Sequence, residues 1–419
     1  MSKFLRSSDR RTGTLPQVEF YCYFTTAIIF AASFLQGVND GDTATLIRQI
    51  RMVVVIAVSC FLYVAILSSK KTQNRVDNTI VVTVLFLYFC VSIVSLIGHE
   101  QWRFGIWKLI EFSMYVGWSF YILKTAGISS LKITNFGMQL IFAFVLISIL
   151  VSLVFYPNLA WNKIPSQIPY QLRGGILPIN SNDLAMIFLV GILYFQIACR
   201  EVKYNSWIVF IFLILLVATQ NRTCLAFASI FMFFNIKHGW VIALLGTALI
   251  VTTPEVITNI MEAATRGDIQ NILTGNGRLI IWSGAFVEMK DNLLLGSGFY
   301  VGHRFSSFQA GHLFIDQSNT LDNTFLDIFF DTGFLGLCLF VTFICVIFIR
   351  VFGKVKPDYA NTYFKFLRWL LPFFVLDAFM GPTVQTYGLT LTIYSLLFLP
   401  IFSTETIGSS RIRPPRMAT

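Results

Sequence analysis

Apolar runs of about 16 to 20 residues recur from one end of this 419-residue chain to the other. Each is long enough to cross a hydrocarbon core of ~30 Å as an α-helix. In lipid no water satisfies the backbone, so a spanning segment must be a helix or part of a closed barrel. A barrel would show alternating segments of about ten residues instead. Composition agrees with helices. The chain is 56% hydrophobic and 12% charged, with mean hydropathy +0.70, whereas soluble domains run near a quarter charged. The reading is an all-α polytopic integral membrane protein. About 12 spans are expected, near 18–37, 50–68, 79–97, 104–122, 136–155, 183–199, 205–220, 222–236, 240–254, 328–349, 364–380 and 385–402.

Basic residues orient these spans. With the N-terminus inside, 18 Lys and Arg fall on the cytoplasmic side and 10 on the other, as the positive-inside rule requires. Both termini are therefore expected in the cytoplasm. The N-terminus is polar and basic and the first apolar run is long enough to span, so no cleavable signal peptide is expected. The net charge of +10 belongs mainly to cytoplasmic loops and does not call for nucleic acid. Seven cysteines lie mostly inside apolar runs without CxxC spacing, which implies neither a disulfide framework nor a metal site.

Two outside loops are long, 156–182 and 255–323, the larger between spans 9 and 10. Long loops in compact proteins are usually functional. They divide the chain into N-terminal spans 1–155, a core 156–350, and C-terminal spans with a tail, 351–419. Within the second loop, "RLIIWSGAFVEM" has apolar residues at helical spacing and could lie in the membrane interface. There is no convincing internal repeat of the kind many secondary transporters carry.

Three outside arginines stand beside Gly, Asn or Ser: Arg173 in "YQLRGGILPINSNDLA", Arg222 in "ATQNRTCLAF" and Arg278 in "GNGRLIIWSGAF". Arginine at membrane depth is costly and faces a cavity or partner; singly, each could instead snorkel to the interface. Three on one side favour a shared anion site, because the guanidinium fork suits phosphate. Acids gather at the tenth span, in "DNTFLDIFFDTGFLGL". Asp322 and Asn323 are candidate N-caps for it. Asp327 and Asp331 follow at about one and two turns. Asp327 could support Asp322 or meet a basic partner, while Asp331 reads as a helix-pairing or loop residue. Gly333 and Gly336 could admit a neighbouring helix.

These residues carry a resemblance. Asp322-Asn323, nine residues, then Gly333-x-x-Gly336 resembles the C-terminal signature of the bacterial O-antigen ligase and O-antigen polymerase superfamily, which often reads His-Asn, nine residues, Gly-x-x-Gly. Upstream, Arg278 and Trp282 with Leu294, Leu295, Gly296 and Gly298 resemble the family's Arg-x-x-x-Trp and "pLLGxGxG". "NRTCLAF" resembles its Ser-Arg-x-x-x-Leu segment, with Leu225 and Phe227 only near the family's Leu. "RGGILPINSNDLA" resembles its Arg-x-x-Gly…Asn-x-x-(Leu)-Ala stretch, through Arg173 and Asn182. The likeness covers about residues 170 to 340. One departure matters: the ligase His is Asp322 here.

The resemblance implies a GT-C-like membrane glycosyltransferase of the bacterial inner membrane, with its site facing the periplasm. The donor would be an oligosaccharide on undecaprenyl diphosphate, the second substrate an acceptor glycan. No cofactor or metal is expected, since Arg222, Arg278 and Arg173 would neutralise the leaving diphosphate. Asp322 would act as base or orienter for the acceptor hydroxyl. Asn182, Asn323, Trp282, Arg304 and Asp327 are candidate substrate-binding residues, and Tyr300 could stack on a sugar. His303 and His312 rank lower, because a lone loop His is usually solvated. Polymerase branches tolerate variation at the His position, which favours polymerase over ligase. A chain-length regulator and a flippase are possible partners. A transporter is the non-enzyme alternative; Lys108 and Glu111 in the fourth span are its best support, though at i,i+3 they could simply pair.

Overall fold

The computed structural model describes residues 15–33, 50–51, 53–61, 79–125, 130–162, 171–175, 179–199, 205–235, 278–305, 321, 323–353, 361–380, 393–395 and 397. Ten main helices stand at or near the expected spans and in the 255–323 loop: α1 (Leu15–Ser33), α2 (Thr79–Ser95), α3 (Trp102–Thr125), α4 (Ser130–Phe155), α5 (Ser181–Leu193), α6 (Asn205–Thr219), α7 (Arg222–Asn235), α8 (Arg278–Glu288), α9 (Thr324–Phe352) and α10 (Asn361–Met380). Residues 50–51 and 53–61 are also helical. A two-stranded antiparallel ribbon joins β1 (Trp161–Asn162) to β2 (Gln171–Leu172), with Trp161 opposite Leu172. The expected ninth span, 240–254, lies outside the described residues, and the second and twelfth are described only in part.

Three of these segments meet both the length and the apolarity needed to cross a bilayer: Ile133–Phe155, Ser181–Ala198 and Thr324–Phe352. Their surroundings support the same reading. Ile80, Phe86, Phe155 and Ile349 stand 64% to 72% exposed on outward faces. Such a wide apolar exterior suits lipid and not water. The protein is an all-α membrane protein whose helices pass through the bilayer more than once.

Helix α5 is the centre of the bundle. Every residue from Leu184 to Leu193 is buried, so it is apolar all round, as an interior helix must be. It packs on α6, α7 and α10. At its far end the helix widens into a π-turn, Tyr194–Ala198. Phe142, Tyr194, Phe195 and Phe212 interlock there, with ring centroids 5.3 to 5.8 Å apart. Tyr194 stays satisfied in this apolar setting by donating to Asn135 Oδ1 at 2.8 Å.

Helix α9 packs against α2 and α10 and is broken within its length. Gly333 takes φ 67° and ψ −167°. An unbroken helix would carry bonds from Phe334 N to Phe330 O and from Leu335 N to Asp331 O. Instead Phe334 N and Leu335 N donate to Leu293 O and Leu294 O, at 2.8 and 3.3 Å. The released Phe330 O and Asp331 O accept from Ser297 N and Gly298 N, at 2.8 and 3.0 Å. Two helical bonds are exchanged for four bonds to the "LLLGSG" segment, residues 293–298, so the break leaves these four backbone groups paired.

Sequence spacing suggested that Gly333 would admit a helix; it admits this loop. A Cβ at Gly333 would sit 2.3 Å from Leu294 O, and one at Gly296 2.5 Å from Gly333 N. Gly333→Ala and Gly296→Ala should each destabilise the protein by about 2 kcal/mol or more, through overlap and a strained φ together. Gly98 also has positive φ, yet nothing lies within 4 Å of its Cβ position. Gly98→Ala should therefore cost clearly less. Thermal unfolding of the three purified variants in one detergent checks the ranking.

Candidate functional site

The residues singled out by the sequence gather in two regions. The first surrounds the α6–α7 junction. Gln220 adopts φ 54°, and Asn221 then caps α7, its Oδ1 accepting from Cys224 N at 2.9 Å. Arg222 is thereby fixed as the first residue of α7, while its side chain lies outside the described residues. Asn221 Nδ2 donates to Asn182 Oδ1 at 3.0 Å, tying the start of α5 to the same point. Gln171 Nε2 donates to Thr219 O at 2.9 Å, so the β-ribbon is anchored there too. Arg173 follows directly on β2. Its N–H donates to Ala160 O at 2.7 Å and its side chain is exposed. Arg173, Asn182 and Arg222 are thus brought to one junction by asparagine and glutamine side chains.

The second region is the start of α9. Asn323 is its N-cap: Oδ1 accepts from Phe325 N and Leu326 N at 3.0 and 3.2 Å. Asp327 is fully buried and accepts from Leu321 N at 2.9 Å. Trp282 Nε1 donates to Leu321 O at 2.8 Å. Ile281 and Ala285 of α8, with Met289 directly after it, pack against Leu321 and Phe330, one face at i, i+4, i+8. Arg278 is the first described residue of α8, its side chain again outside the described residues, and Asp322 itself lies outside them. Both neighbours of Asp322 are nonetheless held, Leu321 by two hydrogen bonds and Asn323 by its cap. Among the described residues no group of three or more His, Cys, Asp or Glu is placed to hold a metal.

Asp331 organises what lies between. Its Oδ2 accepts from Tyr300 N at 2.8 Å, and its Oδ1 from His303 N at 3.0 Å. His303 Nδ1 lies 2.8 Å from the same Oδ1, a bond in which the imidazole donates to the carboxylate. Both side chains are fully buried. The expectation of a solvated His303 is therefore corrected: the ring is a structural clamp. Residue spacing could not reveal it, because the partner is 28 positions away on a different element. His312 lies outside the described residues.

Tyr300 is corrected as well. It was a candidate sugar platform, but it is 4% exposed and takes φ 64°. The Arg304 guanidinium lies 4.3 Å from its ring centroid and the Lys108 ammonium 5.0 Å. Lys108 and Glu111 do pair, at 2.8 Å, and Arg51 joins them from the 50–61 segment with NH2 2.5 Å from Glu111 Oε1. The Lys108–Glu111 pair is the one that the i,i+3 spacing suggested. Phe299 N donates to Ser95 Oγ at 3.0 Å, docking the same loop on the α2–α3 turn.

The comparisons with known proteins bear on this arrangement. Residues 206–341 match a family model described as O-antigen ligase, about a third of the chain. The matched segment runs from α6 into the body of α9 and contains Arg222, Arg278, the broken helix and its loop. It bears out the resemblance to the O-antigen ligase and polymerase superfamily. The match supports a ligase- or polymerase-type activity in a membrane glycosyltransferase-like enzyme. No curated protein gives a significant match.

Two outcomes follow. Asp331→Ala strips three donors of their buried acceptor and should cost about 3 kcal/mol or more, read as a lowered thermal midpoint; His303→Ala should cost less. The second concerns His99, in the turn that receives the loop. Burial pushes its imidazole below the ordinary histidine range, against the upward pull of Glu100 and Asp331. Its Nδ1 accepts from Gln101 N at 3.0 Å, which only the neutral ring can do. As pH falls through ~6.5 the unfolded chain binds the proton first. The stability from this turn is present above that pH and lost progressively below it. Thermal midpoints from about pH 8 to about pH 5 should fall less steeply in His99→Gln than in the wild type.

Proposed function

We propose that the protein polymerises oligosaccharide repeat units carried on undecaprenyl diphosphate, at the outer face of the bacterial inner membrane. The observation that carries this reading is the family match over residues 206–341, taken with the Asp that stands where ligases carry His. In this reading the chain has about 12 spans with both termini in the cytoplasm. Residues 156–350 form the working core.

The chemistry is a direct displacement. The acceptor hydroxyl oxygen forms the new bond to the anomeric carbon, which is inverted. The bond from that carbon to the diphosphate breaks, and its electron pair leaves with the phosphate oxygen. Asp322 takes the hydroxyl proton. Arg278 and Arg222, with Arg173, neutralise the negative charge growing on the diphosphate. Two features support these roles. Arg222 opens a helix, where first-turn N–H groups and the helix dipole also favour an anion. The residues on either side of Asp322 are fixed by caps and hydrogen bonds, which would hold a base in place. Transfer to lipid A–core by a ligase would use the same donor, and the family description names that activity. A chain-length regulator and a flippase would act alongside.

A deletion strain tests the reading, with its surface glycan separated by size and by the lipid that carries it. Long chains should vanish while single repeat units still reach their carrier. Restoring Arg278→Ala or Asp322→Ala should leave long chains reduced by about a hundredfold or more, the usual scale for losing an oxyanion donor. Full-length polymer accumulating on undecaprenyl diphosphate would instead identify a ligase.

A further inference from the structure

We infer that Arg51, Lys108 and Arg304 form a second oxyanion site, separate from Arg173, Arg222 and Arg278, that seats a phosphate group borne by a membrane lipid. The inference rests on the polymerase reading in placing this cluster on the side where lipid-linked substrates arrive and in calling for a second diphosphate seat.

Arg51 is 2% exposed. One of its nitrogens, NH2, reaches Glu111; Nε and NH1 are buried with no partner among the described residues. Arg304 Nε is buried and likewise unpartnered among them. Unmet buried donors are rare, and each carries a desolvation cost. Here three of them belong to two guanidinium groups.

The two arginines belong to one linked set. Glu111 holds Arg51 on one carboxylate oxygen and Lys108 on the other. The Lys108 ammonium then faces the Tyr300 ring, which Arg304 also covers. Asp331 fixes that ring's backbone from below. Among the described residues, Arg51 and Lys108 thus share the one carboxylate of Glu111, and Arg304 forms no ion pair, which leaves the cluster with a surplus of positive charge there. A buried charge without a counter-charge is strongly disfavoured. A ligand oxyanion supplies both missing quantities, negative charge and acceptor oxygens, and the guanidinium fork fits phosphate in two parallel bonds.

The surroundings choose the kind of phosphate. Trp102, Phe104, Ile106 and Trp107, on the first turns of α3 beside Lys108, are all exposed and apolar. A phosphate reaching this cluster arrives along an apolar wall, which suits a lipid with a hydrocarbon tail more than a free ion. Two sources share that chemistry, a polyprenyl diphosphate and a phospholipid headgroup. Joining two lipid-linked glycans requires seats for two diphosphates, and the three arginines already assigned provide one.

The test uses the full-length protein in nanodiscs of phosphatidylcholine. Undecaprenyl diphosphate and phosphatidylglycerol are added separately, and bound lipid is counted by native mass spectrometry. Every protein carries Arg278→Ala, so the first anion site contributes little. At least one lipid should bind, and Arg51→Gln and Arg304→Gln should each weaken it by about tenfold or more, the scale for truncating a buried charged pair. Loss of the diphosphate alone assigns the site to a substrate. Loss of phosphatidylglycerol alone assigns it to a bilayer lipid, and loss of both to lipid phosphate in general. If neither lipid binds, or folded variants bind as well as their parent, the inference is overturned and the cluster is an internal ion network. Should Arg51→Gln fail to fold, Arg304→Gln decides alone, since Arg304 lies outside the Arg51–Glu111–Lys108 pairing. Failure of the polymerase reading looks different: Arg278→Ala would still make long chains in cells.

Discussion

The exchange of backbone hydrogen bonds at Gly333 is the constraint on which the rest of the site depends. A helix in lipid can break only where its released N–H and C=O groups find partners within the protein. The 293–298 segment provides those partners, and in doing so it becomes part of α9. Everything beyond it in the loop inherits that position. Asp331, one turn before the shifted bonds, then fastens Tyr300 and His303. Arg304, the next residue, is carried to the face of Tyr300. The glycines of the "LLGSG" motif and of the α9 signature answer one another, since each stands where the other's backbone needs the space of a Cβ.

Much of the bundle was legible from apolar run length. The expected span 104–122 lies within Trp102–Thr125, and 328–349 within Thr324–Phe352. The cap was legible too, because an Asn directly before an apolar run is an N-cap by residue type. The amphipathic reading of "RLIIWSGAFVEM" found a real helix, and its buried face turned out to meet α9. The clamps were not legible. Asp331 and His303 are 28 positions apart, and Arg51 and Glu111 are 60 apart. No periodicity links them, because each pair is made by tertiary docking. The glycine exchange is hidden for a related reason. Spacing can show that a glycine is present, but not whether a helix or a loop backbone occupies the space it leaves.

Electrostatics sort the acids of the opening signature into different tasks. Asn323 and Asp327 secure the chain on both sides of residue 322, one by capping and the other by holding Leu321. Asp331 holds a loop. Glu111, far away in sequence, balances two of the three cations of the second cluster.

The break in α9 also bears on how the protein is made. The 293–305 loop is synthesised before α9, yet its final hydrogen bonds are to groups that exist only once α9 has arrived. Until they meet, α9 can satisfy Phe330 O and Asp331 O only by running straight, and the loop's own amides remain in water. Bending of this helix and docking of the loop are therefore one cooperative event. The bent, docked form is the state in which neither partner has unmet groups, so quality control acting on a stalled intermediate would encounter a continuous helix beside a loose loop.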